Sequence, residues 1–287
     1  MPVGGEPMPQ EQRFDSRQTM QRTDFEIFHY RDRQLRSVGL HYHDFYEVYY
    51  FRGGQVEYRI EGQVYQLQPG DLLLLPPQAL HQVLVSPGIP YERTVLWINS
   101  NYLQSMGNRL TECFQNRPQT GHLLRPSPTQ ADRIRQLFSG LCEEYCKPED
   151  FSDILCQGML TQLMAELNRM TPQVHLPASK PQDLVDQVLS HIHNHYWEAI
   201  TLESLAETFF VSKYHLAHQF RKRVGTSIYR YILFRRLSLA KEMMASGTAP
   251  GQVSRSCGFL DYANFYRAFR SQYGISPQVF FRENNSR

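Results

Sequence analysis

The last third of the chain contains a repeat with a fixed offset of 49 residues, and this repeat constrains the fold more than any other feature. The segment LAHQFRKRVGTSIYRYI, which starts at Leu216, recurs from Phe265 as FYRAFRSQYGISPQVFF. The matched positions are Leu216, Phe220, Arg221, Gly225, Ser227 and Tyr231 in the first copy and Phe265, Phe269, Arg270, Gly274, Ser276 and Phe280 in the second. Six matches at one offset indicate two copies of one structural unit.

Each copy is predicted to be a helix-turn-helix unit. The two segments start after residues that favour the helix N-cap, Ser212 and Asp261, and a short helical segment precedes each one, LESLAETF or PGQVSRSC. Between the copies, residues from about Ile228 to Ala245 predict one uninterrupted helix, about 27 Å long at the usual rise per residue. A rod of that length could hold the two units about 34 Å apart, which is one turn of DNA.

Helical periodicity divides the second helix of each unit into two faces. We expect Leu216 and Phe220 in one core, and Phe265 and Phe269 in the other. The predicted outward residues are Tyr214, Ala217, His218 and Arg221 in the first unit, and Tyr262, Ala263, Tyr266, Arg267 and Arg270 in the second. Such faces could enter a DNA groove, and the alternative is two exposed faces of an interaction domain.

Individual side chains on these faces suit different contacts with DNA. Arg267 can donate two hydrogen bonds to guanine, and His218 can donate to a base acceptor. Tyrosine and alanine offer apolar surface to a thymine methyl group, whereas Arg221 and Arg270 suit phosphates. The outward faces therefore predict both base reading and backbone contacts.

The distribution of charge supports a polyanionic partner for this end of the chain. Residues 1 to 179 carry 16 basic and 20 acidic side chains, whereas the chain from Ser212 onward carries 13 basic and three acidic ones. A local excess of positive charge gains affinity for nucleic acid by releasing condensed counterions. Nucleic acid is the natural partner for this end of the chain, and charge alone is equally compatible with a solvated basic face.

Other features of the sequence predict a cytoplasmic protein. No stretch approaches eighteen consecutive apolar residues, and the first residues lack the apolar run of a signal peptide. The five cysteines are scattered and odd in number, which fits a reducing compartment better than a disulfide framework. We expect no membrane partner.

The N-terminal half predicts a small β domain followed by two helices. Alternating apolar residues, turns and the run Leu72 to Leu75 indicate short strands from Asp24 to about Asn99. Helices are expected from about Thr129 to Cys146 and from Ser152 to Met170. The apolar stripe of the second helix, which is core or a dimer seam, comprises Leu155, Met159, Leu160, Leu163, Met164 and Leu167.

The C-terminal motifs resemble those of the AraC/XylS family of bacterial regulators. SKYHLAHQFRKRVGTS, YILFRRLSLAKEMM, GFLDYANFYRAFRSQYGISP and VFFR follow the family signature in order and spacing. The resemblance implies that the outward faces read bases in asymmetric promoter sites and that the protein adjusts transcription.

Two residues depart from the pattern. Phe210 stands where the turn often has glycine, which costs about 1 kcal/mol if the residue is left-handed, and Ser254 replaces an alanine, which is expected to loosen the second unit.

The segment HYHDFYEVYYFRGG resembles part of the cupin barrel. Metal-binding cupins use two histidines, a glutamate and a later histidine, and His41, His43, Glu47 and His81 follow this order. Such a set suits Mn, Fe, Ni or Zn. The AraC/XylS resemblance instead implies a barrel that binds a small effector, often a sugar, without a metal. We therefore expect these four residues to line a polar effector pocket or to satisfy one another, with Trp97 available to stack on a sugar ring. No cofactor is expected, and metal at the same set is the alternative.

The expected architecture is α+β: an N-terminal cupin-like β-barrel with two following helices, and a C-terminal all-α domain of two helix-turn-helix units joined by a long helix. The predicted divisions are a flexible arm (1–23), an effector-binding and dimerisation domain (24–170), a linker (171–181) rich in proline, and a DNA-binding domain (182–287). The expected partners are promoter DNA, a small-molecule effector, a second copy of the chain and RNA polymerase.

We expect no catalytic activity. Two other functions are compatible with the sequence. One is a metal-dependent cupin enzyme with an accessory DNA-binding domain, and the other is a constitutive DNA-binding protein with an empty barrel.

Overall fold

The computed structural model describes residue 14 and residues 17–35, 37–115, 121–171 and 183–285. The chain divides into two compact units, residues 1–179 and 180–287. The predicted linker, apart from Thr171, and most of the predicted arm lie outside the described residues. Among the described helices, none is long and apolar enough to cross a membrane.

The N-terminal unit is built on two antiparallel sheets. Its strands are β1 (Phe25–Asp32), β2 (Ser37–His41), β3 (Tyr46–Gly53), β4 (Val56–Ile60), β5 (Gln63–Gln66), β6 (Leu72–Leu75), β7 (His81–Val85), β8 (Tyr91–Ile98) and β9 (Leu123–Leu124). One sheet has the order β1-β8-β3-β6-β9 and the other β2-β7-β4-β5. The predicted β region and the buried strand Leu72–Leu75 are confirmed.

The five-stranded sheet separates two hydrophobic cores because successive side chains along a strand point to opposite faces. Leu73 and Leu75 contribute to a core with the inward side chains of the second sheet, such as Val83. Leu72 and Leu74 contribute to the other core, which includes helical residues such as Phe138. Both faces of this sheet are therefore covered, and most residues of its strands are buried.

Helices of the N-terminal unit pack on that second core. They are α1 (Ser100–Met106), a 3-10 helix (Asn108–Phe114), α2 (Pro128–Cys146) and α3 (Ser152–Met170). The predicted pair of helices corresponds to α2 and α3, whereas α1, the 3-10 helix and β9 were not predicted. The stripe of α3 is core from Leu160 to Leu167, but Leu155 is 52% exposed and lies outside that core.

The C-terminal unit is all helical where it is described. Its helices are α4 (Leu184–His195), α5 (Leu202–Thr208), α6 (Lys213–Val224), α7 (Ile228–Ala245), α8 (Pro250–Ser256), α9 (Tyr262–Tyr273) and α10 (Pro277–Asn285). The helix pairs α5–α6 and α8–α9 are the two predicted units. The long helix α7 lies between them with the predicted bounds, so the expected α+β architecture is confirmed.

Candidate nucleic-acid interface and histidine cluster

The second helices of the two units, α6 and α9, begin and end in the same way. The Ser212 side chain accepts a hydrogen bond from the His215 backbone N–H (3.2 Å), and Asp261 does the same for Asn264 (2.7 Å). These caps satisfy amide groups that the first turn leaves free. Each helix ends at a left-handed glycine, Gly225 (φ 84°) or Gly274 (φ 76°). The two caps and the repeated ends match the sequence repeat.

The structure confirms the division of these helices into faces. All four residues predicted to face inward, Leu216, Phe220, Phe265 and Phe269, have no exposed surface. The predicted outward residues Tyr214, His218, Arg221, Tyr262, Ala263, Arg267 and Arg270 are exposed, and Ala217 and Tyr266 are half-buried. Each helix therefore presents a mixed aromatic and basic face to solvent.

Two residues that were not singled out belong to these faces. Asn264 accepts a hydrogen bond from Arg267 and donates to Asp261 (2.8 Å), which orients the arginine relative to the helix start. Lys213 is exposed in the first turn of α6, and its ammonium lies 5.6 Å from the centre of the Tyr214 ring. Both lie in the first turn of their helix, next to or between residues predicted to face outward. Their position in the sequence could therefore have identified them.

Several other basic side chains of this unit form contacts within the protein. Arg223 pairs with Asp183 and Asp186 on the first turn of α4. Arg236 donates to the carbonyls of Tyr196 and Glu198, both at 2.7 Å. These two arginines tie α4 and the following loop to the helix-turn-helix core, so part of the positive charge in this region is structural.

The turn of the first unit contains the expected departure from glycine. Phe210 has φ 54° and is left-handed, and Gly258 (φ 78°) takes the corresponding place in the second unit. These two positions are 48 residues apart, whereas the following helices are offset by 49, so the second turn is one residue longer. A Cβ at Gly258 would lie 2.4 Å from the Trp197 carbonyl oxygen, but the Phe210 side chain is 95% exposed. The first turn therefore tolerates a side chain that the second cannot.

Replacing Phe210 with glycine is expected to stabilise the first unit by about 0.5 to 1 kcal/mol. Glycine relieves a left-handed conformation that costs about 1 to 2 kcal/mol in residues with a Cβ. Part of this gain is lost because glycine has more conformational entropy in the unfolded chain. Hydrogen exchange of the α5 and α6 amides measures the change. Phe210→Ala is the control, since it removes the exposed ring and keeps the Cβ. An equal gain in both variants would show that backbone strain is not the cause.

The second departure, Ser254, is well accommodated. It is buried, and its hydroxyl donates to the Gly251 carbonyl at 3.1 Å. A buried hydroxyl is costly only when it has no hydrogen-bond partner. The structure therefore does not support the expected loosening of the second unit.

The N-terminal unit brings the predicted histidines and glutamate together. His41 ends β2 and is paired across the sheet with His81, the first residue of β7. His43 lies in the loop after β2, and Glu47 lies on β3 in the facing sheet. We call these four residues the histidine cluster. It links the two sheets at one end of the sandwich.

The side chains of the histidine cluster are in direct contact. Ligand atoms of His43, Glu47 and His81 all lie within 4.8 Å of one another. The ring centre of His41 is 4.1 Å from that of His81. The Trp97 indole N–H donates to Glu47 Oε2 (2.9 Å), so Trp97 is held by the cluster through its polar edge. All five residues predicted for an effector site are thus brought together.

Burial shifts the pKa values of these groups. Desolvation lowers the pKa of His41 to about 4 and that of His81 well below its ordinary value, with like charge on neighbouring histidines adding to both. Burial opposes ionisation of Glu47, but hydrogen bonds from His43 and Trp97 and the electrostatic interaction with the neighbouring histidines outweigh it and lower its pKa. His41 and His81 are therefore neutral and Glu47 is charged at neutral pH.

Aromatic and basic side chains next to the cluster were not singled out from the sequence. Tyr58 hydrogen-bonds Glu47, and the hydroxyls of Tyr49 and Tyr91 are 2.5 Å apart. Arg93 is buried and pairs with Asp32, with its guanidinium 4.2 Å from the centre of the Tyr91 ring. Tyr49 follows Glu47 at a spacing of two on the same strand, and Arg93 precedes Trp97 at a spacing of four. The strand period was therefore the signal for these residues.

Two residues of the predicted arm pack on the sheets. Arg17 pairs with buried Glu26 (2.6 Å), and its guanidinium lies 5.3 Å from the ring centres of Phe28 and Trp97. Phe14 contacts Tyr30 edge to face, at 5.4 Å between ring centres. The described part of the arm thus reaches Trp97, which is hydrogen-bonded to the histidine cluster.

Comparisons with known proteins agree with both halves of the structure. Residues 23–164 match the model of the AraC-like ligand binding domain, and residues 205–283 match a helix-turn-helix domain. The arabinose operon regulatory protein of Salmonella typhimurium is 27% identical over 226 residues, covering 76% of this chain and 77% of the relative. The lactose operon transcription activator of Staphylococcus xylosus is 25% identical over 232 residues, covering 79% and 80%.

A solved structure, that of ToxT from Vibrio cholerae, aligns with 90% of this chain and 98% of its own, with 12% identity and a TM-score of 0.37. The two domain models together span most of the chain, in the order that the fold shows. The chain therefore belongs to the AraC/XylS family and is a transcriptional regulator with an N-terminal ligand-binding domain and a C-terminal helix-turn-helix DNA-binding domain.

Proposed function

We propose that the exposed faces of α6 and α9 read two adjacent major-groove segments of one promoter site. The observation that carries the proposal is the repetition of one capped helix, with its apolar side buried and its aromatic and basic side exposed. A helix of this kind fits the major groove, where each base pair presents a distinct pattern of donors and acceptors. Because the exposed residues of α6 and α9 differ, the site they recognise is asymmetric.

Within each face, we assign base reading and phosphate contacts to different positions. Tyr214, His218 and Arg267 lie in the first half of their helices, which is the half that contacts base edges in helix-turn-helix complexes. Arg221 and Arg270 lie in the last turn, where an exposed guanidinium reaches the phosphate backbone. Arg267 is further oriented by Asn264, which suits a bidentate contact with guanine.

Replacing Arg267 with alanine is expected to weaken binding to the specific site by about 1 to 3 kcal/mol and to relax the preference at one base pair, because a bidentate base contact is lost. Arg270→Ala is the matched control, because Arg270 lies about one turn away on the same helix and is exposed like Arg267. It should weaken binding to specific and random duplexes alike, since phosphates are the same in every sequence. Competition binding against both duplexes at fixed salt measures the two losses. Equal losses of specific and random binding for Arg267→Ala would refute the assignment.

We further propose that the N-terminal domain binds a small polar effector, with sugars the first class to test. Buried polar groups of the histidine cluster surrounded by Trp97, Tyr58 and Tyr49 offer hydrogen bonds and stacking surfaces of the kind that hold a sugar ring. The names of two relatives refer to arabinose and lactose operons. Arg17 contacts Trp97, so a ligand beside Trp97 would alter how the arm packs.

The remaining proposals concern the oligomeric state, the direction of regulation, the cellular location and catalysis. An exposed apolar strip at the start of α3, formed by Phe151 (72% exposed), Ile154 (60%) and Leu155 (52%), is suited to a homodimer seam. A relative is named as a transcription activator, and we propose the same role here, with RNA polymerase as a partner and the cytoplasm as the place of action. We propose no enzymatic activity, because the curated relatives are regulators.

A further inference from the structure

The histidine cluster has a feature that an effector pocket alone does not require. Each of its three imidazoles places Nδ1 against a backbone carbonyl oxygen: His41 against Gly39 (2.7 Å), His43 against Phe45 (2.9 Å) and His81 against Ala79 (2.7 Å). A carbonyl oxygen can only accept, so each Nδ1 carries the hydrogen. In the neutral ring the lone pair is then on Nε2, and all three rings are fixed in the same tautomer.

The Nε2 atoms of His43 and His81 meet the Glu47 carboxylate in one buried space. His43 Nε2 is 3.1 Å from Glu47 Oε2, and ligand atoms of His43, Glu47 and His81 all lie within 4.8 Å of one another. His81 Nε2 is buried, and among the described residues no group hydrogen-bonds to it. A nitrogen lone pair and a carboxylate oxygen at this distance repel unless a cation lies between them. The two atoms therefore need a positive charge between them, which is either a proton on His43 Nε2 or a metal ion.

We propose that His43, Glu47 and His81 bind one divalent first-row transition metal ion, with the His41 ring next to that of His81. Two imidazole nitrogens and one carboxylate oxygen form a ligand set that suits ions such as Zn²⁺, Ni²⁺ or Mn²⁺. Ligand atoms about 2.1 Å from a common ion are about 3 to 4.3 Å apart, so the observed spacing needs only small side-chain movements. Binding of the ion does not depend on the effector-binding role that we propose for the same domain.

The surroundings of the cluster have the organisation of a supported metal site. The backbone carbonyls that hold the three Nδ1–H groups orient the rings, and Trp97 and Tyr58 orient the Glu47 carboxylate. Contacts of this kind fix the tautomer of a ligating histidine and position its ligating nitrogen. The three ligands come from the loop after β2, from β3 and from β7, so the ion would join the two sheets. The competing arrangement is a proton on His43 Nε2, which would form an ion pair with Glu47.

The test is metal binding by the full chain after treatment with a chelator. The protein is incubated with Zn²⁺ or with Co²⁺, whose visible absorption reports ligand geometry, then passed through a desalting column and analysed for metal content. We expect about one ion per chain in the parent protein, and at least about a 100-fold loss of affinity in His81→Ala and in Glu47→Gln. His29→Gln is the matched control, since His29 is equally buried and contacts Glu92 at 3.4 Å, but it is outside the cluster.

Each outcome decides the proposal. Retention of one ion by the parent and His29→Gln, with loss in both cluster variants, supports it. Absence of a bound ion in the parent, or equal retention in His81→Ala, overturns it. The Glu47→Gln variant keeps the size of the side chain, so a loss of metal with unchanged circular dichroism is not a folding defect. Promoter binding measured on the same samples tests DNA recognition separately, so failure of the metal site leaves that function standing.

Discussion

Replacing Phe269 with alanine is expected to lower the free energy of unfolding of the second helix-turn-helix unit by about 3 to 5 kcal/mol. The Phe269 side chain is fully buried, with ring centres of Tyr273 at 4.5 Å, Phe265 at 5.6 Å and Phe280 at 5.7 Å. Truncation removes these contacts and leaves a cavity at the centre of the unit. Because a small helical domain has a stability of only several kcal/mol, most of it is lost.

Hydrogen exchange of the α9 amides measures this loss, since exchange from a core helix reports the opening of the whole unit. Phe210→Ala is the matched control, because it also removes a phenyl ring, but from a side chain that is 95% exposed. We expect faster exchange and loss of specific DNA binding only in Phe269→Ala. Similar exchange rates in the two variants would show that α9 is not held by the aromatic core.

Replacing Asp32 with alanine is expected to destabilise the N-terminal domain by about 3 kcal/mol, because it leaves a buried guanidinium without its counter-charge. Arg93 has only 3% of its side chain exposed and pairs with Asp32 at the end of the β1–β8 ladder. Its other contacts are a long hydrogen bond to the Tyr91 carbonyl oxygen (3.5 Å) and ring faces, including Tyr30 at 4.7 Å, and none of these supplies a negative charge.

The double variant Asp32→Ala, Arg93→Met separates charge from packing. An apolar side chain of similar length removes the uncompensated charge, so at least half of the lost stability should return. Asp132→Ala is a control, since its pair with Arg135 is exposed and is expected to contribute less than about 1 kcal/mol. Thermal unfolding monitored by the sheet signal measures all three variants. A double variant no more stable than Asp32→Ala would contradict a charge effect.

Elements with a strong local signal could be predicted from the sequence. The caps at Ser212 and Asp261, the uninterrupted α7 and the buried faces of α6 and α9 all follow from residues close together in the chain. The histidine cluster was also predictable in composition, because His41, His43, Glu47 and His81 follow a recognisable order. These are cases in which periodicity or a motif determines the structure directly.

Features that depend on distant packing could not be predicted. The segment between β8 and α2 forms a helix, a 3-10 helix and a two-residue strand, and it has no long apolar period to indicate them. Leu155 fits the apolar period of α3 but lies beyond the part that the sheet covers, so it is exposed. The common tautomer of the three histidines depends on the carbonyls of Gly39, Phe45 and Ala79, and only the folded backbone brings these into place.

Base preference along a binding site tests directly whether α6 and α9 read adjacent major-groove segments. Sites are selected from random duplexes with the parent protein, His218→Ala and Arg267→Ala, and the positions that lose preference in each variant are compared. We predict two separate sets of base pairs, one for each variant, about 10 base pairs apart along one face of the duplex. Loss of preference at the same base pairs in both variants, or in neither, would contradict the assignment of one groove segment to each helix.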